Sequence, residues 1–307
     1  MAAIDSRFSF ASAPVSWGVE DYPGPAWQQP YEHILDEMIA GGFTGTELGP
    51  YGYFPTDAKV LGHMLKRKKL AMLSSFVPVS LADPSCASEV VNHIRKVGKL
   101  LAALGAPYLV LADAESPQRQ NLAGRVDPDG SQSLNATQWR QVGKLVAEAE
   151  RVSADFGLDL VFHPHVGTYV ETPGEAEKLF DTLAGAKVGL CLDTGHCYYG
   201  GGDPVQEAAK YKHLLRYIHL KDINQTILDE SRRKALNFGQ AVEAGVFTTI
   251  GEGCVDFPAF FRMLLQNGYS GWLVVEQDMV PQSPQDAADA EASQIRNRAW
   301  LREHASL

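Results

Sequence analysis

The chain has 307 residues, 45% of them hydrophobic and 21% charged, with 27 Lys and Arg against 37 Asp and Glu and a net charge of −10. That acidity argues against nucleic acid or an anionic membrane as a partner, while a locally positive pocket stays open. No apolar stretch reaches the roughly 20 residues of a membrane helix, and Met1 to Phe10 carries Asp5 and Arg7 where a leader would have an apolar core, so a cytoplasmic protein is expected.

Short apolar runs alternate with longer amphipathic ones. Phe8 to Trp17 reads as the first strand, and a helix follows over Trp27 to Ala40, with Tyr31, Ile34, Leu35 and Met38 at helical spacing. Next come a strand at Phe43 to Leu48, a helix at Asp57 to Lys68 and a third strand at Leu70 to Val77. A helix at Ser88 to Leu104 leads to the fourth strand, Pro107 to Ala112, and its helix, Ala136 to Phe156. Leu158 to His163 is the fifth strand. Its helix, Pro173 to Leu183, opens on Thr172 with Glu175 three residues later, the pattern of a capping box. Val188 to Asp193 is the sixth strand, followed by a helix at Val205 to Lys212, and the short seventh strand is Tyr217 to Leu220. A helix at Phe257 to Gln266, the eighth strand at Trp272 to Gln277 and a closing helix at Asp286 to Arg302 complete the pattern.

Eight β/α units in succession imply a parallel sheet closed into a (β/α)8 TIM barrel, an α/β fold, here expected as one domain over residues 1–307. A doubly wound open sheet would carry a glycine-rich phosphate turn after its first strand, but this turn reads Ser16-Trp17-Gly18-Val19-Glu20. Two long loops, Asp113 to Asn135 and Asp222 to Cys254, are expected at the catalytic face as lids or binding loops.

A barrel enzyme works at the carboxyl ends of its strands. There the sequence places Glu47 on the second strand, His163-Pro164-His165 on the fifth and Asp193-Thr194-Gly195-His196 on the sixth. His219 and Lys221-Asp222 end the seventh, and Glu276-Gln277-Asp278 the eighth. Singly, each has a plain explanation: a turn cap, a satisfied core histidine, a salt bridge. Together, imidazoles and carboxylates recur at four successive strand ends, a ligand set suited to manganese, cobalt, iron or zinc. Cys86, Cys191, Cys197 and Cys254 form no CxxC pair, which argues against a structural zinc site. Cys197 beside His196 is a weaker nucleophile candidate, because adjacent side chains seldom point together. Paired glycosidase carboxylates, such as Glu47 with Glu276, would leave the histidines unexplained. Trp17, Trp272 and Tyr198-Tyr199 are candidates for an apolar wall against a sugar ring, with ordinary packing as the alternative.

These residues resemble a known group. Asp193-Thr194-Gly195-His196, Ile218-His219-Leu220-Lys221-Asp222 and Val274-Val275-Glu276-Gln277 are similar to motifs of the xylose-isomerase-like barrels, which include sugar isomerases, epimerases and dehydratases. The stretches Ala13 to Trp17, Gly45 to Gly49, Gly245 to Gly253 and Gly268 to Asp278 resemble the inosose dehydratase family most. The resemblance runs from about residue 10 to 280. It implies a metal held by residues of the fifth to eighth strands, here His163, Asp193, His219 and Glu276. His163 stands where the superfamily typically has glutamate, which argues against isomerisation by a glutamate pair; Glu171 is the other candidate for that place. The ion expected is Mn2+ or Co2+ first, with Mg2+, Fe2+ or Zn2+ also compatible.

The expected reaction is dehydration of a small cyclic polyhydroxy ketone through an enediolate, with His165 as base because imidazole titrates near neutrality. His196 or Glu171 would protonate the departing hydroxyl, and Lys221 would stabilise oxyanion charge. Glu47 and Trp17 would contact substrate. Ketose isomerisation or epimerisation and cleavage of a keto-C-glycoside are rivals on the same site, and a non-catalytic sugar-binding subunit is a further one. The Asp222 to Cys254 loop is expected either to close over substrate, with Arg232, Arg233 and Lys234 at the rim, or to pack Val246-Phe247 on a neighbouring subunit of a homo-oligomer.

Overall fold

Nearly every strand is apolar on both faces, as in a sheet covered by helices outside and filled by side chains inside. The computed structural model describes residues 7–20, 24, 28–183, 185–281 and 283–305. In chain order they form β1 (Phe8–Ser12), a 3-10 turn (Pro14–Trp17), α1 (Tyr31–Gly41), β2 (Gly45–Thr46), α2 (Ala58–Lys68), β3 (Ala71–Met72) and β4 (Phe76–Val79). A second 3-10 turn (Pro84–Cys86) precedes α3 (Ala87–Ala103), β5 (Tyr108–Asp113), α4 (Pro117–Gln120), α5 (Ala136–Ala154), β6 (Asp159–Phe162) and α6 (Pro173–Thr182). Then follow β7 (Gly189–Asp193), α7 (Thr194–Tyr199), α8 (Pro204–Lys210), β8 (Leu215–Leu220), β9 (Asp222–Ile223), α9 (Gln225–Lys234) and α10 (Phe238–Glu243). The chain ends with β10 (Phe247–Thr248), α11 (Phe257–Gln266), β11 (Gly271–Val275) and α12 (Pro284–His304).

Nine segments form one parallel sheet in the order β3-β2-β1-β11-β8-β7-β6-β5-β4. Its two end segments, β3 and β4, belong to a single stretch of chain, and the backbone between them bridges the gap. Leu73 N donates to Thr46 O at 3.0 Å on one side, while Tyr108 N donates to Leu73 O at 3.1 Å on the other. The sheet therefore closes, and the fold is a TIM barrel with eight strand positions. The third position, expected as one strand from Leu70 to Val77, is divided because Leu73 to Ser75 switches hydrogen-bond partners there.

Local chemistry explains the other departures. β1 stops at Ser12, short of the expected Trp17, because Pro14 has no N–H for a ladder and its fixed φ opens the 3-10 turn. α1 begins at Tyr31; Trp27, the expected start, lies outside the described residues. The capping box at Thr172 and Glu175 is present. The expected loop from Asp222 to Cys254 is folded: two helices and an antiparallel β9–β10 pair form it. Val246 and Phe247 are buried, so the exposed pair expected at a subunit contact does not exist. Arg232 donates to Tyr199 O, and Arg233 and Lys234 pair with Glu230, so none of the three lines the mouth of the barrel. The Asp113 to Asn135 segment carries the short helix α4. Among the described residues, no helix is long and apolar enough to cross a membrane.

Candidate active site

Side chains alternate along a strand, so residues two apart share a face. Inside the barrel, Ala11, Leu73, Val110, Val161, Cys191, Tyr217 and Val274 form a buried layer. Two residues further along β6, β7, β8 and β11 the inward positions become His163, Asp193, His219 and Glu276. Two further again they are His165, Gly195, Lys221 and Asp278. Apolar core thus gives way to two stacked polar layers at the carboxyl ends. Gly195 keeps the upper layer open, since a Cβ there would lie 2.8 Å from Lys221 Cβ. Ser12 at the end of β1 and Ser16 of the following 3-10 turn pin the rim: Ser12 Oγ donates to Val275 O at 2.8 Å and Gln277 N to Ser16 Oγ at 3.2 Å, fixing the backbone on both sides of Glu276.

Four donor atoms converge in the lower layer. His163 Nε2 lies 3.7 Å from Asp193 Oδ2, which is 3.8 Å from His219 Nδ1, itself 3.2 Å from Glu276 Oε2. His163 Nδ1 is 2.8 Å from Pro164 O, which only accepts, so the ring hydrogen sits on Nδ1 and Nε2 keeps its lone pair. Asp193 Oδ2 and His219 Nδ1 are buried without hydrogen-bond partners among the described residues. Leaving one such group unpaired costs about 1–3 kcal/mol, and a divalent cation would satisfy both, so the site fits the ion that its donor set suggests. Overlapping triads here bring donors within 4.8 Å of one another: His163, Asp193 and His196; His163, Cys191 and His219; Glu47, His219 and Glu276.

Basic neighbours hold both carboxylates of this layer ionised. Burial alone would raise the Asp193 carboxyl, but Lys221, His196 and His163 hold it well below its ordinary range. Glu276 is likewise raised by burial and pulled down by His219 and Lys221, to about 2. Lys221 loses by burial and gains more from Asp193, Asp278 and Glu276, so its ammonium persists. Its Nζ lies 2.8 and 2.9 Å from the two Asp278 oxygens, 3.1 Å from Glu276 and 3.4 Å from Asp193.

Above these donors opens a cavity of about 450 Å³, lined by His163, His165, His219, Lys221, Glu276 and Glu47. Asp278, Glu115 and His93 add polar wall, and Phe76, Phe238, Tyr51 and Val242 add apolar wall. Phe76 and Phe238 flank the His165 ring with centroids at 5.5 and 5.6 Å. Of the strand-end imidazoles, His165 is only partly buried while His163, His196 and His219 are buried, and the His196 ring packs against it at 3.8 Å. Asp278, named in the sequence at the end of the eighth strand but given no role there, lies two residues beyond Glu276 on the same face and clamps Lys221. Phe76 and Phe238 carried no comparable signal.

Several expectations are corrected. The near-neutral rationale for His165 fails, because burial, then His163 and Lys221, push its pKa down to about 3. Glu171 does not line the cavity: Gly124 N and Gly167 N donate to its two oxygens at 2.7 and 2.9 Å, tying two loops together. Trp17 is buried and its Nε1 donates to Glu37 of α1, so it is core and touches no cavity. Trp272, Tyr198 and Tyr199 do not line the cavity either. Cys197 is a poor nucleophile, since burial pushes its thiol well above the ordinary range. By contrast, Glu47, expected to contact substrate and not the metal, lines the cavity, and it also accepts from Tyr217 Oη and lies 2.9 Å from His219 Nε2.

Residues 35–304 match the family model described as a xylose isomerase-like TIM barrel. The chain is 31% identical over 297 residues to inosose dehydratase of Clostridium botulinum, covering 96% of both chains. It is 33% identical over 271 residues to the rhizopine catabolism protein MocC of Rhizobium meliloti, covering 87% of this chain and 81% of that one. Among solved structures, the IOLI protein with a bound zinc atom superposes with a TM-score of 0.67 at 14% identity, over 96% of this chain and 99% of that one, a likeness of fold.

Proposed function

The chain belongs to the xylose isomerase-like TIM barrels, and from that premise we propose that it dehydrates a cyclic polyhydroxy ketone of the inosose class with the help of a divalent cation. The observation that carries this reading is that one cavity is lined by His163, His219 and Glu276, with Asp193 Oδ2 3.7 Å from His163 Nε2 and 3.8 Å from His219 Nδ1, together with a neutral imidazole and a permanent ammonium. Relatives covering nearly the whole chain at about 31% identity are inosose dehydratases, which supports the substrate class.

Held by His163, Asp193, His219 and Glu276, the cation would polarise the ketone and acidify the neighbouring C–H. The remaining work falls to side chains. Val166 O only accepts, so His165 Nδ1, 2.8 Å away, carries the ring hydrogen and Nε2 is free to take the α-proton. The depressed pKa keeps the ring neutral but weakens it as a base, so the α-proton must be acidified by the cation, and once protonated the ring is a strong acid able to return its proton to the β-hydroxyl, which leaves as water. The C–H and C–O bonds break, a C=C bond forms, and the proton count balances. Lys221, clamped by Asp278, places a fixed positive charge beside the enediolate oxygens. Phe76 and Phe238 keep bulk water from the proton in transit. An isomerase of the two-glutamate kind needs a carboxylate where this chain has His163, which favours elimination over reprotonation.

The test is a panel of keto-inositols and ketoses incubated with the Mn2+-loaded protein and followed by NMR. An enone or diketone with loss of one water is expected from a keto-inositol. A new ketose, with no loss of water, would make the protein an isomerase or epimerase.

A further inference from the structure

We propose that Glu47 and Tyr217 are positioning residues that aim His219 Nδ1 at the cation; this rests on the cation reading above. The two come from separate parts of the barrel. Glu47 follows β2, and Tyr217 lies in β8, with β1 and β11 between those strands in the sheet. They meet inside the barrel: Tyr217 Oη donates to Glu47 Oε1 at 2.8 Å, and His219 Nε2 lies 2.9 Å from that same oxygen.

Donor and acceptor chemistry fixes the rest. A carboxylate oxygen only accepts, so the His219 Nε2 facing it carries a hydrogen. The ring is thereby held with Nδ1 turned away from Glu47, toward Asp193 Oδ2 and Glu276 Oε2, where it finds no hydrogen-bond partner. A ligating histidine whose other nitrogen donates to a carboxylate has its tautomer and its ring orientation fixed together. Tyr217 extends the chain by one member. Its side chain is fully buried, its ring packs on Tyr108 with centroids 4.8 Å apart, and its hydroxyl lies 3.3 Å from Ser74 Oγ. The phenol therefore cannot swing away, and its hydrogen bond holds the Glu47 oxygen where His219 needs it. Three strand positions are joined: the second through Glu47, the third through Ser74, the seventh through Tyr217 and His219. On this account the glutamate after β2 belongs to the metal centre's support and is not a ligand.

Co2+ titration of the metal-free protein, read by calorimetry and by the visible d–d absorption, tests this. The variants are Glu47→Gln, Tyr217→Phe and the double variant. Glu47→Gln is expected to weaken Co2+ binding about ten- to a hundredfold, and Tyr217→Phe less, in the same direction. The double variant should bind no more weakly than Glu47→Gln, because Tyr217 acts through Glu47, and the absorption at saturation should match wild type throughout. Affinity within twofold of wild type in the variants would overturn the proposal. A changed spectrum in saturated Glu47→Gln would also overturn it, by making Glu47 a ligand. Should Glu47→Gln fail to fold, Tyr217→Phe, which keeps its ring packing, decides alone. If wild type itself bound no Co2+, the cation reading would fall first, a result distinct from unaltered binding in the variants.

Discussion

At the scale of single residues, His165 shows how far environment overrides type. An isolated imidazole titrates near neutrality. Burial, then His163 on the same strand end and the Lys221 ammonium, hold this one neutral, while the His196 ring lies tilted against it. Its lone-pair nitrogen is defined by a backbone carbonyl that no substitution of the His165 side chain removes. Replacing the ring should therefore delete proton transfer and spare the donor set. His165→Gln is expected to lower turnover by a factor of about 10²–10⁴ while Co2+ affinity stays within a few-fold of wild type. Turnover retained within tenfold would transfer the base to another cavity group, of which Glu115, 3.8 Å from His165 Nδ1, is nearest in kind.

At the scale of elements, the sequence carried the strand ends well, because alternation along a buried strand is a strong constraint. A residue two past an apolar inward position faces the same way, so His163, Asp193, His219 and Glu276 were legible together with their convergence. What stayed hidden depends on contacts between distant segments. The hydrogen bonds of Glu171 to Gly124 and Gly167, the exchange of partners at Leu73 and the folding of the segment after β8 leave no local pattern. That last segment is held by one carboxylate. Ile223 N and Val255 N donate to Asp222 Oδ1, and Gly251 N and Gly253 N to Oδ2, all within 3.1 Å, so both ends of the cap are fastened at one point. A side chain on Gly253 could not fit, since its Cβ would lie 2.3 Å from Asp222 Oδ1. Hydrogen bonds to a charged group contribute about 1.5–3 kcal/mol each, and neighbouring ones do not add fully. Asp222→Ala should therefore cost about 3 kcal/mol or more in urea unfolding, and loosen the cap that supplies Phe238 and Val242 to the cavity wall. A loss under about 1 kcal/mol would mean the cap is secured mainly by its own apolar cluster of Leu228, Phe238, Val242 and Phe247.

At the scale of the whole molecule, the helices and the sheet do one thing for the chemistry: they bring His163, His165, His219, Lys221, Glu276 and Asp278 together between apolar packing below and a cavity that Phe238 and Val242 of the folded cap help to line. In that setting two carboxylates and two imidazoles are stable neighbours only with positive charge among them. Lys221 supplies one such charge from the upper layer, 3.4 Å from Asp193 Oδ2, and Asp193 Oδ2 and His219 Nδ1, which make no hydrogen bond among the described residues, suit the place of a second. The net charge of −10 adds a general attraction for cations that salt would screen, whereas the buried donor set would hold its ion against salt. The most direct measurement is turnover of a keto-inositol by protein stripped exhaustively with chelator, metal content being followed by elemental analysis as Mn2+ is returned. The account predicts no dehydration by the stripped protein and full recovery as one ion binds per chain. Undiminished dehydration by protein shown to hold no metal would contradict it.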